Sequence, residues 1–155
     1  MIGRLKKKGT NVRRYERTRV LVEGSPTLSH EIVRSIEQGC QDIEGLDEPR
    51  EELVMVKVRE TAQRTLFYLG EALATTCRVR VDGTVGYGMV MGSDRCAAYE
   101  LAVIDAAFSG EGFAGRDKAE QMLAEEAERL ERDGRKRLGV RERTRVDFST
   151  MDVEL

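Results

Sequence analysis

The spacing of apolar residues changes twice along this chain, and each change predicts a different element. Between Ser25 and Gly39, the residues Leu28, Ile32, Val33 and Ile36 recur every three or four positions, the period of a helix with one buried stripe. Ser25 stands where a side-chain oxygen accepts from a free first-turn N–H, Pro26 suits the first helical position, and Gly39 ends the run. Upstream, residues 11–23 carry a weaker pattern of the same period through Val12, Tyr15, Arg19 and Val22, closed by Gly24. From Leu53 the period drops to two: Val54, Val56 and Val58 alternate with Met55, Lys57 and Arg59, which predicts a strand with one face covered. The acidic stretch before it is broken by Gly45 and Pro49 and reads as a surface connection.

A second extended region, residues 64–81, is interrupted at Gly70 and Glu71 and runs into Asp82 and Gly83. Asp-Gly between two β-rich runs is a strong two-residue hairpin signal, so residues 73–81 are expected to pair antiparallel with residues 84–91. That turn sets the register: Val81 opposes Thr84, Val79 opposes Gly86, Arg78 opposes Tyr87 and Cys77 opposes Gly88. Gly86 and Gly88 then leave a trough on one face, where a covering helix can approach closely. The next helix is expected over residues 94–108 behind a Ser93 cap. Ala97, Ala98, Leu101, Ala102, Ile104 and Ala106 make it apolar around most of its circumference. Such a helix is buried on two sides, one by the sheet and the other, on this reading, by a partner subunit.

A charged helix follows over residues 116–133, striped by Ala119, Met122, Leu123, Ala127 and Leu130. At the end of the chain, Arg145, Val146, Phe148 and Met151 stand in a polar context, the pattern of a docking tail over residues 144–155. The predicted class is α+β: an antiparallel β-meander packed against several helices, with a long charged C-terminal helix and an extended tail. The 155 residues suit one domain.

Composition narrows the chemistry. Aromatics make up 5% of the chain and Trp is absent, so the core is aliphatic. The net charge of -2 is unevenly spread: Arg4, Lys6, Lys7, Lys8, Arg13, Arg14, Arg17 and Arg19 face only Glu16 in the first 19 residues, which carry +7 and leave -9 elsewhere. Residues 1–12 read as a flexible basic arm on an acidic body. No apolar leader core or membrane-length apolar run occurs, so a soluble cytoplasmic protein is expected. Cys40, Cys77 and Cys96 are scattered and His30 is the single histidine. That spacing suits reduced, buried thiols rather than a metal site or a disulfide framework.

The glycine-rich stretch does not fit a phosphate-binding loop. No Lys occurs between Lys57 and Lys118, and Gly86 and Gly88 fall inside a strand rather than at its turn into a helix. No nucleophile stands beside a base, so no catalytic residue is assigned. Asp105, amid apolar neighbours on its helix, is expected to pair with Arg78, Arg80 or a tail arginine, because an unpaired buried charge is costly. Glu71, at the Gly70 bend, has the same two readings: a structural ion pair or a place near a nucleotide.

Phe67, Leu69, Gly70, Glu71 and Thr75, then Asp82, Gly83, Gly86, Tyr87, Gly92 and Asp94, then Ala102, Ile104, Asp105 and Ala106, closed by Arg145 to Met151, together resemble the G subunit (PhnG) of the bacterial carbon-phosphorus lyase core complex. The resemblance is strongest over residues 65–108 and in the tail. It implies a subunit without a complete active site, working with I, H, J and L types of subunit. It implies that the complex displaces adenine from ATP with a phosphonate, giving an α-D-ribose 1-phosphonate 5-triphosphate. On that resemblance ATP is a co-substrate of the complex and this subunit alone binds no cofactor; from the residues and the resemblance together, Glu71, Gly83, Gly86, Tyr87, Gly88, Asp105, Arg145 and Phe148 are the structural or interface candidates. The competing function is a basic-armed nucleic-acid-binding module that dimerises through the 94–108 helix, against which stand the acidic body and the few aromatics for stacking.

Overall fold

The structure, a computed structural model, describes residues 13–143. The chain order is α1 (Arg14–Glu23), α2 (Pro26–Gly39), β1 (Ile43–Gly45), β2 (Arg50–Arg59), β3 (Leu66–Val81), β4 (Thr84–Met91), α3 (Arg95–Ser109) and α4 (Arg116–Arg143). This is the expected α+β meander: β2, β3 and β4 pair antiparallel in sequence order. The 16-residue β3 organises the sheet. One of its edges carries β2 and then β1, and the other carries β4, opposite residues 74–81 only. The hairpin register is the one the turn dictates, Val81 against Thr84 through Cys77 against Gly88. Asp82 (φ 44°) and Gly83 (φ 83°) both take the left-handed conformation that a tight hairpin turn between twisted strands requires.

The glycine trough is where α3 docks. A Cβ on Gly86 would overlap the backbone of Ala102 and Ala106, and one on Gly88 would overlap the backbone of Ala98. Helix and sheet therefore meet at backbone distance, and the helix supplies alanines at the contact. Behind α3 lie α2, then α1 and α4, so Ile32, Ile36, Val79, Val103, Ile104 and Leu123 close into one aliphatic core.

Several expectations are corrected. The second side of α3 is covered by α2 of the same chain, not by another subunit: Ser29 and His30 on α2 both reach Glu100 on α3. The cap of α3 is Asp94, whose carboxylate accepts from Ala97 N–H at 2.9 Å, one residue after the expected Ser93. α1 turns a different face inward from the one predicted: Arg17, Val20 and Leu21 are buried while Tyr15 is 76% exposed and Val22 55%. A helix seated partly by arginine gives a hydrophobic period no purchase. β2 begins at Arg50, three residues early, and the predicted connection contains the short β1. Gly70 and Glu71 do not end a strand, since β3 runs through them with a bulge opposite Val56 and Lys57. α4 continues through Gly134 to Arg143. Of the three thiols only Cys77 is buried, while Cys96 is exposed.

Candidate functional site

Asp105 is the polar centre of the body, with partners other than those expected. Arg14 Nε donates to its Oδ1 at 2.7 Å and Arg17 Nη2 to the same oxygen at 3.2 Å, while the Tyr87 backbone N–H donates to Oδ2 at 3.1 Å. One carboxylate thus ties α1 and β4 to α3. Arg17 is 5% exposed and lies over the Phe108 ring at 4.7 Å. Burial pulls its pKa down, and Asp105 opposes that pull, so the pair must stay intact for the guanidinium to remain inside. Arg78 and Arg80, the expected partners, instead pair with Asp47 and Glu44 on the far side of the sheet.

A second carboxylate, Glu100, went unpredicted. It accepts from Ser29 Oγ at 2.6 Å, sits 3.0 Å from His30 Nδ1, and has Cys96 Sγ at 3.8 Å. Ser29, His30 and Cys96 each meet the acid rather than one another, so no hydroxyl or thiol is paired with the imidazole as its base. The Cys96 thiol is pushed up, first by burial and then by Glu100, away from the reactive thiolate form. Among the described residues no group of three His, Cys, Asp or Glu side chains is placed to hold a metal ion.

The distinctive surface is the sheet. Gly86 and Gly88 point at α3, so Tyr87, Met89 and Met91 point the other way, and all three are exposed. Their face continues across Ala72 and Ala74 of β3 to Val54 and Val56 of β2. Among the described residues it carries no helix, because α3, the helix packed on β3 and β4, lies on the opposite face. A concavity of about 170 Å³ on this face is lined by Asp47, Arg50, Glu52, Arg78, Tyr87 and Met89. Its arginines are paired, Arg78 with Asp47 and Arg50 with Glu52, so it is a poor anion cradle.

Beyond β4 the remaining eight residues of β3 run on with β2 as a two-stranded ribbon, roughly 25 Å long at the rise of an extended chain. Leu53, Met55, Leu66, Phe67, Tyr68 and Leu69 are exposed there. Leu53, Met55, Leu66 and Tyr68 share one face of the ribbon and Phe67 stands on the other, so both faces present apolar side chains of the kind that mark interaction surfaces. Glu71 lies on the ribbon opposite Met55, and no hydrogen bond or ion pair to its side chain occurs among the described residues. The structure thus brings Gly86, Tyr87, Gly88 and Asp105 together at the α3–sheet contact, puts Gly83 in the turn, and leaves Glu71 apart. Arg145 and Phe148 lie outside the described residues.

Residues 12–152 match the family described as "Phosphonate metabolism protein PhnG". The chain belongs to the PhnG family. A relative from Rhizobium meliloti (strain 1021), named "Alpha-D-ribose 1-methylphosphonate 5-triphosphate synthase subunit PhnG", is 36% identical over 104 residues, which are 66% of this chain and 65% of the relative. The match thus spans just under two thirds of the relative's length. Within the PhnG family match fall both the α3–sheet contact and the uncovered face of the sheet.

Proposed function

We propose that this chain is an accessory subunit of a carbon-phosphorus lyase core complex in phosphonate catabolism. On this reading it supports transfer of the ribose triphosphate moiety of ATP to a phosphonate, with release of adenine, while the reacting groups lie on other subunits. The observation that carries the proposal is the sheet face that no helix covers among the described residues, where Tyr87, Met89 and Met91 stand exposed beside half-buried Val54 and Val56, exposed aromatic and methionine side chains being the kind enriched at interfaces. Family membership and the relative's name, that of a ribose 1-methylphosphonate 5-triphosphate synthase subunit, support a place in a phosphonate-processing complex. ATP is then a co-substrate held elsewhere, and an I-type subunit is the partner expected on the sheet face. Residues 144–155 serve as a second docking element on the same partner.

The test is co-expression with an I-type subunit followed by size-exclusion chromatography. Met89→Glu with Met91→Glu places charge at the centre of the face, and co-elution is expected to fail while the chain remains folded. Co-elution unchanged by these substitutions would sink the interface assignment. Deletion of residues 144–155 is expected to weaken the same association without lowering Tm; a large drop in Tm with assembly intact refutes the docking tail. The isolated chain is expected to release no adenine from ATP, and release at about 1 per second or faster overturns the accessory reading.

A further inference from the structure

The ribbon has an open edge with an unusual register. In an antiparallel strand the N–H and C=O of one residue point to the same side, and successive residues alternate sides. On β3 the Leu73 carbonyl accepts from Gly92 N–H on the β4 side at 2.9 Å, and the Thr65 carbonyl accepts from Glu60 N–H on the β2 side at 3.0 Å. Counting inward from both ends, Glu71, Tyr68 and Leu66 direct their backbone groups at the open edge. Tyr68 and Glu71 are three apart rather than two because the bulge opposite Val56 and Lys57 places Leu69 and Gly70 between them. Among the described residues nothing pairs with this edge, and an apolar unpaired edge is a template for another strand.

We infer that the open edge of β3 pairs antiparallel with the same edge of a second copy of this chain. The two-fold axis passes between Leu69 and Gly70, perpendicular to the sheet. Tyr68 then faces Glu71 of the other copy, and the two residues whose backbone groups point outward exchange both hydrogen bonds, once on each side of the axis. An unbulged strand cannot make this match, since residues an odd number apart point to opposite edges. Faces agree as well: Tyr68 and Glu71 share the face of Lys57 and Met55, whereas Phe67 and Ala72 share the face of Val58 and Val54. Phe67 therefore lies against the small Ala72 across the axis.

Charge also complements. Lys57 Nζ stands 4.8 Å from the centre of the Tyr68 ring, next to the position of the other copy's Glu71, whose carboxylate has no partner among the described residues of its own chain. Gly92 already occupies the Leu73 carbonyl, so the overlap is residues 67–72 and the two helical bodies lie at opposite ends. So short an overlap gives a weak, concentration-dependent dimer.

Sedimentation velocity of the full chain over a concentration series tests the inference with no other subunit present, so its outcome is independent of the proposed function. A reversible dimer is expected. Lys57→Glu and Glu71→Lys are each expected to weaken it about tenfold, through two symmetry-related like-charge contacts, and the double reversal is expected to restore it. Amide hydrogen exchange keeps the test open should a variant fold poorly: protection of the Tyr68 and Glu71 amides in the wild-type chain should rise with concentration. A monomer at every concentration, a dimer indifferent to the reversals, or protection of these amides only when an I-type subunit is added assigns the edge to something else and overturns the inference.

Discussion

The α3–sheet contact and the β2–β3 ribbon use the same strand in opposite ways. Over residues 74–81, β3 is paired on both edges and covered on one face by a helix at backbone distance, and among the described residues no buried side-chain polar atom lacks a partner. Over residues 66–73 it keeps, among the described residues, one partner strand, no helix and a row of exposed large apolar side chains. Folding stability comes from the first half, where Ala74, Thr75, Cys77, Val79 and Val81 are buried. The second half buries little within the chain, so its Leu, Phe and Tyr residues make sense as surface for other chains. On the proposed reading one strand contributes separately to stability and to assembly, and substitutions in its two halves should show in different measurements.

The largest expected effect is Asp105→Ala. It leaves Arg17 buried without its counter-ion and removes the acceptor of the Tyr87 N–H, at a cost of about 3 to 5 kcal/mol, read by denaturant unfolding. A loss under about 1 kcal/mol would show that α1 is held by packing instead. Gly86→Val comes next. Its side chain meets the backbone of Ala102 and Ala106 rather than a movable side chain, so α3 must shift, at about 1 to 3 kcal/mol. An unchanged Tm would mean that α3 does not rest in the trough.

The sequence makes the hairpin, its register and the glycine face legible because a two-residue turn permits one pairing, and alternation then assigns every side chain to a face. The second helix is legible because capping and period agree there, and the third because its long run of alanine and aliphatic residues reads as a helix although its cap is Asp94 rather than Ser93. What it hides is where side chains reach across distance in sequence. Arg14 and Arg17 read only as part of the basic excess of the first 19 residues, yet both end on Asp105, about ninety positions away. Ser29 and His30 carry no sign of Glu100. The bulge at Leu69 and Gly70 reads as a break because glycine interrupts the alternation, and only pairing with β2 shows the strand continuing. In the candidate site the sequence carries no sign that Met89 and Met91 of β4 stand exposed, since apolarity does not say which face lacks a cover.

A smaller effect separates the body by pH. Hydrogen bonding from Arg129, then from Ser25 N–H, holds the Glu126 carboxyl below its ordinary value near 4.5. A depressed carboxylate stabilises the fold above its unfolded pKa and loses that contribution as pH falls through the folded value. Glu126→Gln is therefore expected to cost under about 1 kcal/mol at pH 7, the scale of a solvent-screened pair, and nothing once wild-type Glu126 is protonated. Unfolding free energies of both chains between pH 7 and pH 3 check this, and a difference that persists at the acid end would assign it to packing.

The smallest effect on stability is expected in the ribbon and is the most informative about the comparison. Leu69 is 65% exposed and sits at the bulge, so Leu69→Ser removes almost no buried surface and should change unfolding free energy by no more than about 0.5 kcal/mol. Lower exposed hydrophobicity should also make the chain less prone to associate, since the apolar edge is the template for unwanted strand pairing. The measurement is Tm beside the dimer fraction at one fixed concentration. An unchanged Tm with a reduced dimer fraction confirms that this half of β3 works between chains. A clear fall in Tm would mean that the ribbon packs on its own chain, and that the division of β3 into a folding half and an assembling half is drawn in the wrong place.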